Sequence, residues 1–284
     1  MSECVKKYLL AFLLFLLCID AQGQFKVYTR NTRLYDFPVK TTMVVLSGND
    51  LLDLALKNEI TKRWRISPFE FCAPEELENI KKNPKYYVLY TKPESGGIIF
   101  LYLEKCAESK NISSINSRMT VAKLPLSCGK ITTGRELAYV PAMIDIMQHY
   151  VEGAMLRDHI VYLKVEKTRS PLAKARRKKI YISRDDLSES IHGKDSIPSP
   201  ISGFVFTDDF TADSLFNASS KEALIAFCIS SSEYSSKSES YQIIVSADRH
   251  ELFYFKKKKY KKPSDRGFTM KNLQTIHAEH NYKK

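Results

Sequence analysis

The chain has 284 residues, 44% hydrophobic and 27% charged, with a formal net charge of +12. That much apolar sequence excludes a disordered or fibrous chain and allows one large or two small cored domains. The basic balance points to anionic neighbours and says nothing about fold.

Lys6 and Lys7 precede an unbroken apolar run, Tyr8 to Ile19, and Ala21-Gln22-Gly23 follows with small residues where a signal peptidase reads them. This order of charge, short apolar core and small-x-small is that of an export signal. The run is about a dozen residues, short of the roughly 20 that span a bilayer, so no transmembrane segment is expected in the mature chain. Cleavage is expected before Gln24. The expected location is the periplasm or the cell envelope, with secretion as a variant. The signal carries two bases and two acids, so the mature chain keeps the +12.

Gln24 to Lys40 mixes polar and aromatic residues and reads as an extended lead-in. Thr41 to Leu46 is a short buried strand. Asn49 or Asp50 can cap a helix that carries Leu52, Leu56, Ile60 and Trp64 at steps of four, a stripe that belongs on a sheet. Ile66 to Phe71 is a second strand, and Pro74-Glu75-Glu76 opens a second helix that Asn83-Pro84 stops. Tyr86 to Tyr90, the Gly96-Gly97 turn and Ile98 to Leu103 form a hairpin. Ala107 to Arg118 reads as a loop and Met119 to Leu126 as a strand. Arg135 to Arg157 is a long helix, with Pro141 marking a kink or a late start.

Arg169 to Lys179 is a Pro-containing basic run, expected to be a linker or exposed loop. Ile180 to Ile182 and Phe204 to Phe206 are brief strands. Asp185-Asp186-Leu187 is a turn or short helix, and Ser188 to Ser202 is given no structure. Asp208 to Ala218 carries scattered Phe and Leu without a defined element. Ala223 to Ile229 is a strand, Ser230 to Ser240 a serine-rich connector, and Tyr241 to Ser246 with Glu251 to Lys257 a hairpin. Asn272 to His280 is a closing helix. The fold class is α/β (α+β mixed), a mixed sheet covered by the long helix, with a smaller β-rich C-terminal part. The expected divisions are a signal over 1–23, an α/β domain over 24–168 and a C-terminal region over 178–284 that can belong to the same domain.

Reaction signatures are missing. Gly129-Lys130-Ile131-Thr132-Thr133 echoes the end of a phosphate loop, but Leu124 stands where the loop needs its first Gly. No GxGxxG, GxSxG or CxxC occurs. His277 and His280 stand at i, i+3 near the C-terminus, an accident more often than a metal pair. Asp185-Asp186 and Asp208-Asp209 lack the spaced oxygens of a calcium loop. Lys62, Arg63 and Arg65 fit a helix C-terminus better than a nucleic-acid patch. No cofactor, metal or catalytic residue is assigned, and an exported protein is not expected to meet nucleic acid.

Two features remain. Cys106 and Cys128 lie at strand ends and are the most plausible disulfide in an oxidising compartment, whereas Cys72 and Cys228 sit in apolar surroundings as buried thiols. Lys256, Lys257, Lys258, Lys259, Lys261 and Lys262 form the most biased stretch. They either contact an anionic envelope surface or protect a sheet edge from aggregation.

The leader, the NDLLDLALKNEI…W helix, the SPFEFC and YYVLY strands and the RELAYVPAMIDIMQHYV helix resemble uncharacterised exported proteins of Gram-negative anaerobes, over roughly residues 1–165. The resemblance implies location and an α/β fold, and carries no activity or site residue. The expected function is a non-catalytic binding or envelope-assembly component, whose partner is an envelope protein or an anionic surface. The alternative is a secreted or periplasmic hydrolase with an unrecognised site.

Overall fold

A computed structural model describes residues 34–94, 96–106, 120–129, 131, 134–155, 171–192, 203–232, 234–235 and 238–281. The first half runs β1 (Thr41–Val45), α1 (Asp50–Arg63), β2 (Phe69–Cys72), a short α2 (Leu77–Ile80), β3 (Tyr86–Pro93), β4 (Ile98–Lys105), β5 (Thr120–Cys128) and α3 (Val140–Met155). Its sheet has the order β2-β1-β3-β4-β5. β1 is parallel to β2 and β3, while β4 and β5 return antiparallel.

The second half runs β6 (Lys179–Ser183), α4 (Glu189–His192), β7 (Phe204–Thr207), α5 (Asp209–Asn217), β8 (Ala223–Ser230), β9 (Glu239–Ser246), β10 (Leu252–Lys259) and α6 (Met270–His280). Its sheet reads β7-β6-β8-β9-β10, with β6 parallel to β7 and β8 and the last two strands antiparallel. Order, direction and helix placement therefore repeat element by element. The registers align too: Thr42 pairs with Phe69 as Ile180 pairs with Phe204. The sequence around those partners repeats as Ile66-Ser67-Pro68-Phe69-Glu70-Phe71 and Ile201-Ser202-Gly203-Phe204-Val205-Phe206. The fold is α/β mixed, and its C-terminal part is a second sheet of five strands rather than a smaller one.

The two units stack in the same sense, not face to face. In the first, Leu52, Leu56 and Ile60 of α1 and the apolar face of α3 cover one side of the sheet. The other side holds Met43, Val45, Val88 and Tyr90 under Ile80 of α2. In the second, Ile191 of α4 with Leu273 and Ile276 of α6 cover Leu224, Ala226 and Ile244. The opposite face, with Ile225, Phe227, Ile243, Val245 and Phe216 of α5, joins the first unit's helices in one continuous core. α3 thus lies between the sheets, which explains why Val140, Ala142, Met143, Ile144, Ile146, Met147 and Val151 are all buried. A helix apolar on all sides needs partners on all sides. Its counterpart α6 buries only one stripe and leaves Lys271, Gln274 and Ala278 exposed, which ends the stack.

Local signals explain most element ends. Asn49 caps α1 by accepting from the Leu52 N–H at 3.0 Å, and Lys62 and Arg63 occupy its last turn. Pro141 sits in the first turn of α3, after a 3-10 turn at Arg135–Leu137, so the helix starts late and is not kinked.

Several expectations change. The lead-in ends in a 3-10 turn, Phe37–Val39, with Phe37 fully buried against Tyr87. Within the basic run, Pro171–Ala175 is a 3-10 turn anchored by the buried Leu172 and Ala175, not a loose linker. Asp209–Asn217 is a helix capped by Asp208, whose carboxylate accepts from the Thr211 N–H at 2.7 Å. Glu189–His192 is helical where no structure was expected. The four described cysteines are free thiols. Cys128 pairs with Ile98 at one end of β4, and Cys106 follows Lys105 at the other. At about 3.3 Å per residue that separates them by roughly 25 Å, far beyond disulfide reach. The signal segment, the Ala107–Arg118 loop and Met119 at the start of the expected Met119–Leu126 strand lie outside the described residues.

Candidate functional site

Each unit presents two rims, one where its parallel strands begin and one where they end. Both units turn the same rim to the same side. The Ser232 N–H, past the end of β8, donates to the Gly96 carbonyl in the β3–β4 turn at 3.0 Å. Arg135, past the end of β5, reaches Asp209 at 2.9 Å and Asp213 at 2.7 Å beyond the end of β7. On the opposite rim, Arg63 at the end of α1 meets the β9–β10 turn, and so does Lys178 ahead of β6.

The strand-end rim is acidic in the second unit. Between the parallel strands β6 and β8 the strand order reverses, with α4 after β6 on one face of the sheet and α5 leading into β8 on the other, the switch point at which α/β sheets hold ligands. Asp186 stands there. Its Oδ1 accepts the Cys228 N–H at 2.9 Å, and its carbonyl accepts the Phe268 N–H at 2.8 Å. Burial, only partly offset by that N–H and by Arg135, pushes its carboxyl up to about 7. Arg135 neutralises Asp209 and Asp213, and the Tyr139 hydroxyl donates to Asp213 at 2.9 Å while its ring stacks on Phe227. The acidic pairs 185–186 and 208–209 are thus brought to one rim. The nearest thiol, Cys228, is 2.9 Å from the Ser240 hydroxyl, and burial pushes it up to about 12, so it is no thiolate at neutral pH. Gly267 closes this point, because a Cβ there would stand 2.4 Å from the Asp186 carbonyl.

The strand-start rim is basic. Ala173, Lys174 and Ala175 of the Pro171–Ala175 turn, the following Arg176-Arg177-Lys178, and Lys221-Glu222 ahead of β8 line a half-open cavity of about 520 Å³. Its wall is fixed by backbone: the Lys178 N–H donates to Ala175, the Lys179 N–H to Glu222, and His280 Nε2 lies 3.0 Å from the Ala175 carbonyl. Lys178 is paired with Asp248 at 3.1 Å. Lys174, Arg176, Arg177 and Lys221 are exposed and enter no ion pair among the described residues. Lys40, Arg63, Lys81, Lys105, Lys123 and Arg135 elsewhere each hold a carboxylate.

No family model, curated protein or solved structure matches this chain. The site therefore rests on its own chemistry. Among the described residues no group of three or more His, Cys, Asp or Glu is placed to hold a metal ion, and no helix is long and apolar enough to cross a membrane.

The lysine stretch lies along β10, an edge strand, and does not form one row. Lys257 pairs with Glu239 at 2.7 Å, and Lys258 donates to the Asp265 carbonyl at 3.2 Å. Lys259, Lys261 and Lys262 are exposed. β10 runs antiparallel to β9, so these three sit at the rim opposite Arg176 and Arg177. His277 and His280 diverge: His280 is buried, while His277 contacts Asn281 at 2.9 Å. Gly129 serves close packing, since a Cβ there would stand 2.1 Å from the Gly97 carbonyl. The first unit's switch point is filled from within, where Asp53 accepts the Ser47 and Gly48 N–H groups at 2.7 and 3.0 Å. The basic cavity escaped sequence reading because Lys221 joins the 174–178 segment only through the pairing of β6 with β8.

Proposed function

We propose that this chain is an exported, non-catalytic binding or assembly component that attaches to an anionic partner or surface of the cell envelope. The observation that carries the reading is a set of exposed cations without ion-pair partners. Among the described residues, Lys174, Arg176, Arg177 and Lys221 at the strand-start rim and Lys259, Lys261 and Lys262 at the opposite one are exposed and enter no ion pair, and only the first group lines a cavity, whereas the acids and thiols capable of chemistry are engaged or covered. Unpaired guanidinium and ammonium groups on a fixed wall lose little on meeting an anion, because no ion pair must first be broken. The leader, with its short apolar core and small-x-small end, supports export.

The second reading, a secreted or periplasmic hydrolase, is favoured by Asp186 alone, an acid with a shifted pKa at a switch point. Among the described residues it has no partnered nucleophile, and the Gly267 turn lies across it.

Fractionation of the producing cell, with mass analysis of the N-terminus, tests the reading. The protein is expected in the envelope fraction beginning at Gln24. Retention of residues 1–23 in a cytoplasmic pool contradicts it.

A further inference from the structure

We infer that the cavity between the Pro171–Ala175 turn and the start of β8 is a binding site for a ligand carrying at least two phosphate groups, gripped by Arg176 and Arg177 and flanked by Lys174 and Lys221. This rests on the anion-binding reading above and narrows it to one place and one chemistry.

Charge sets the ligand class. Around the cavity four unpaired cations face the single carboxylate of Glu222, a surplus of three positive charges, while Lys178 is held aside by Asp248. One carboxylate leaves most of that surplus unmet. A phosphate group carries about 1.5 to 2 negative charges near neutral pH, so two groups match it. Adjacent Arg side chains present planar donor forks that fit phosphate oxygens in pairs, which a lone ammonium cannot do.

Geometry sets where the ligand goes. Leu172 and Ala175 anchor the turn in the core, and Lys179 hydrogen-bonds to Glu222, so the two walls cannot drift apart without breaking sheet structure. The backbone that carries the donors is thus in place before the ligand arrives, so that only side chains need be ordered on binding. The space, about 520 Å³, is in the range of small-ligand pockets. A free polyphosphate and a phosphorylated lipid headgroup offer the same chemistry here.

The test is calorimetry of the full mature chain with inorganic pyrophosphate at low salt, alongside sedimentation with vesicles containing cardiolipin, a lipid whose headgroup carries two phosphates. The variants are Arg176→Gln/Arg177→Gln and, as a control at the opposite rim, Lys259→Ser/Lys261→Ser/Lys262→Ser. Arg176 and Arg177 are exposed, and an unchanged urea midpoint confirms that the double variant folds. The wild type and the triple variant are expected to bind pyrophosphate alike, and the double variant about tenfold or more weaker. Arginine-dependent binding to vesicles alone identifies a headgroup and supports the same site. Pyrophosphate binding that survives the double variant, or no arginine-dependent binding to either probe, overturns it. Vesicle binding that depends only on Lys259, Lys261 and Lys262 overturns this site while leaving the broader anion-binding reading standing.

Discussion

His250 and Asp145 fasten the two units together: His250 Nδ1 in the β9–β10 turn lies 2.7 Å from Asp145 Oδ2 on α3. The same carboxylate oxygen accepts from Arg63 Nη1 at 2.8 Å, so α1, α3 and the second unit's hairpin share one acceptor. The His250 ring stacks on Phe216 of α5 at 4.6 Å, and its backbone holds a φ of 53°. A side chain in that region is strained unless its surroundings hold it there.

His250→Asn tolerates the backbone but loses the stack and the long reach to Asp145. It is expected to lower stability by about 1–3 kcal/mol. Asp145→Asn also removes one of the two carboxylates that hold Arg63, leaving Glu59 at 2.6 Å, and the double variant is expected to cost less than the two singles together, because they share a contact. Urea denaturation measures all three; strict additivity would show that the two groups act independently.

The pH dependence of stability carries two opposite signatures. Asp36 accepts from Tyr87 and Lys105 and pairs with Lys40; although burial opposes it, these bonds hold its carboxyl down at about 2. Its contribution is present above the ordinary value of 3.8 and is lost as pH falls toward 2. Asp186 is raised to about 7, so its folded form keeps a proton that the unfolded chain releases above 3.8. Its contribution is full below 3.8 and is lost as pH rises through that window to 7. Asp186→Asn, which still offers an oxygen to the Cys228 N–H, is expected to flatten the slope between pH 4 and 7. Asp36→Asn is expected to flatten only the acid limb. Thermal melts across pH check both, and an unchanged profile for Asp186→Asn would show that this carboxyl is ionised throughout.

Thiol reactivity follows from burial. Burial pushes Cys72 up to about 11 and Cys106 up to about 12. Slow alkylation of these two in the native state is therefore expected, followed by modification of Cys72, Cys106, Cys128 and Cys228 after denaturation without reductant. Mass analysis reads the count, and two missing additions at Cys106 and Cys128 would mean a bridge that this register of β4 and β5 cannot make.

The sequence pattern reveals an element where burial is periodic and local. Leu52, Leu56 and Ile60 announced α1, and alternation announced the β9–β10 hairpin. α5 stayed hidden because only Ala212 and Phe216 face inward over nine residues, while Phe210 points to solvent at 82% exposure. Leu172 went unread because its burial depends on a distant core and its neighbours are basic. The repeat was visible as Ile-Ser-x-Phe-x-Phe at 66–71 and 201–206, but six residues gain meaning only beside the matching registers. Both rims are assembled by strand order, so neither the switch-point acid nor the cationic cavity leaves a contiguous motif.

The central claim is attachment to anions through exposed, unpaired cations. Its most direct measurement is sedimentation of the mature wild-type chain with anionic vesicles, with neutral vesicles as control, across a salt series. The account predicts retention on anionic vesicles at low salt, none on neutral ones, and progressive release as salt screens the contact. No retention at low salt, or retention indifferent to salt and lipid charge, would contradict it.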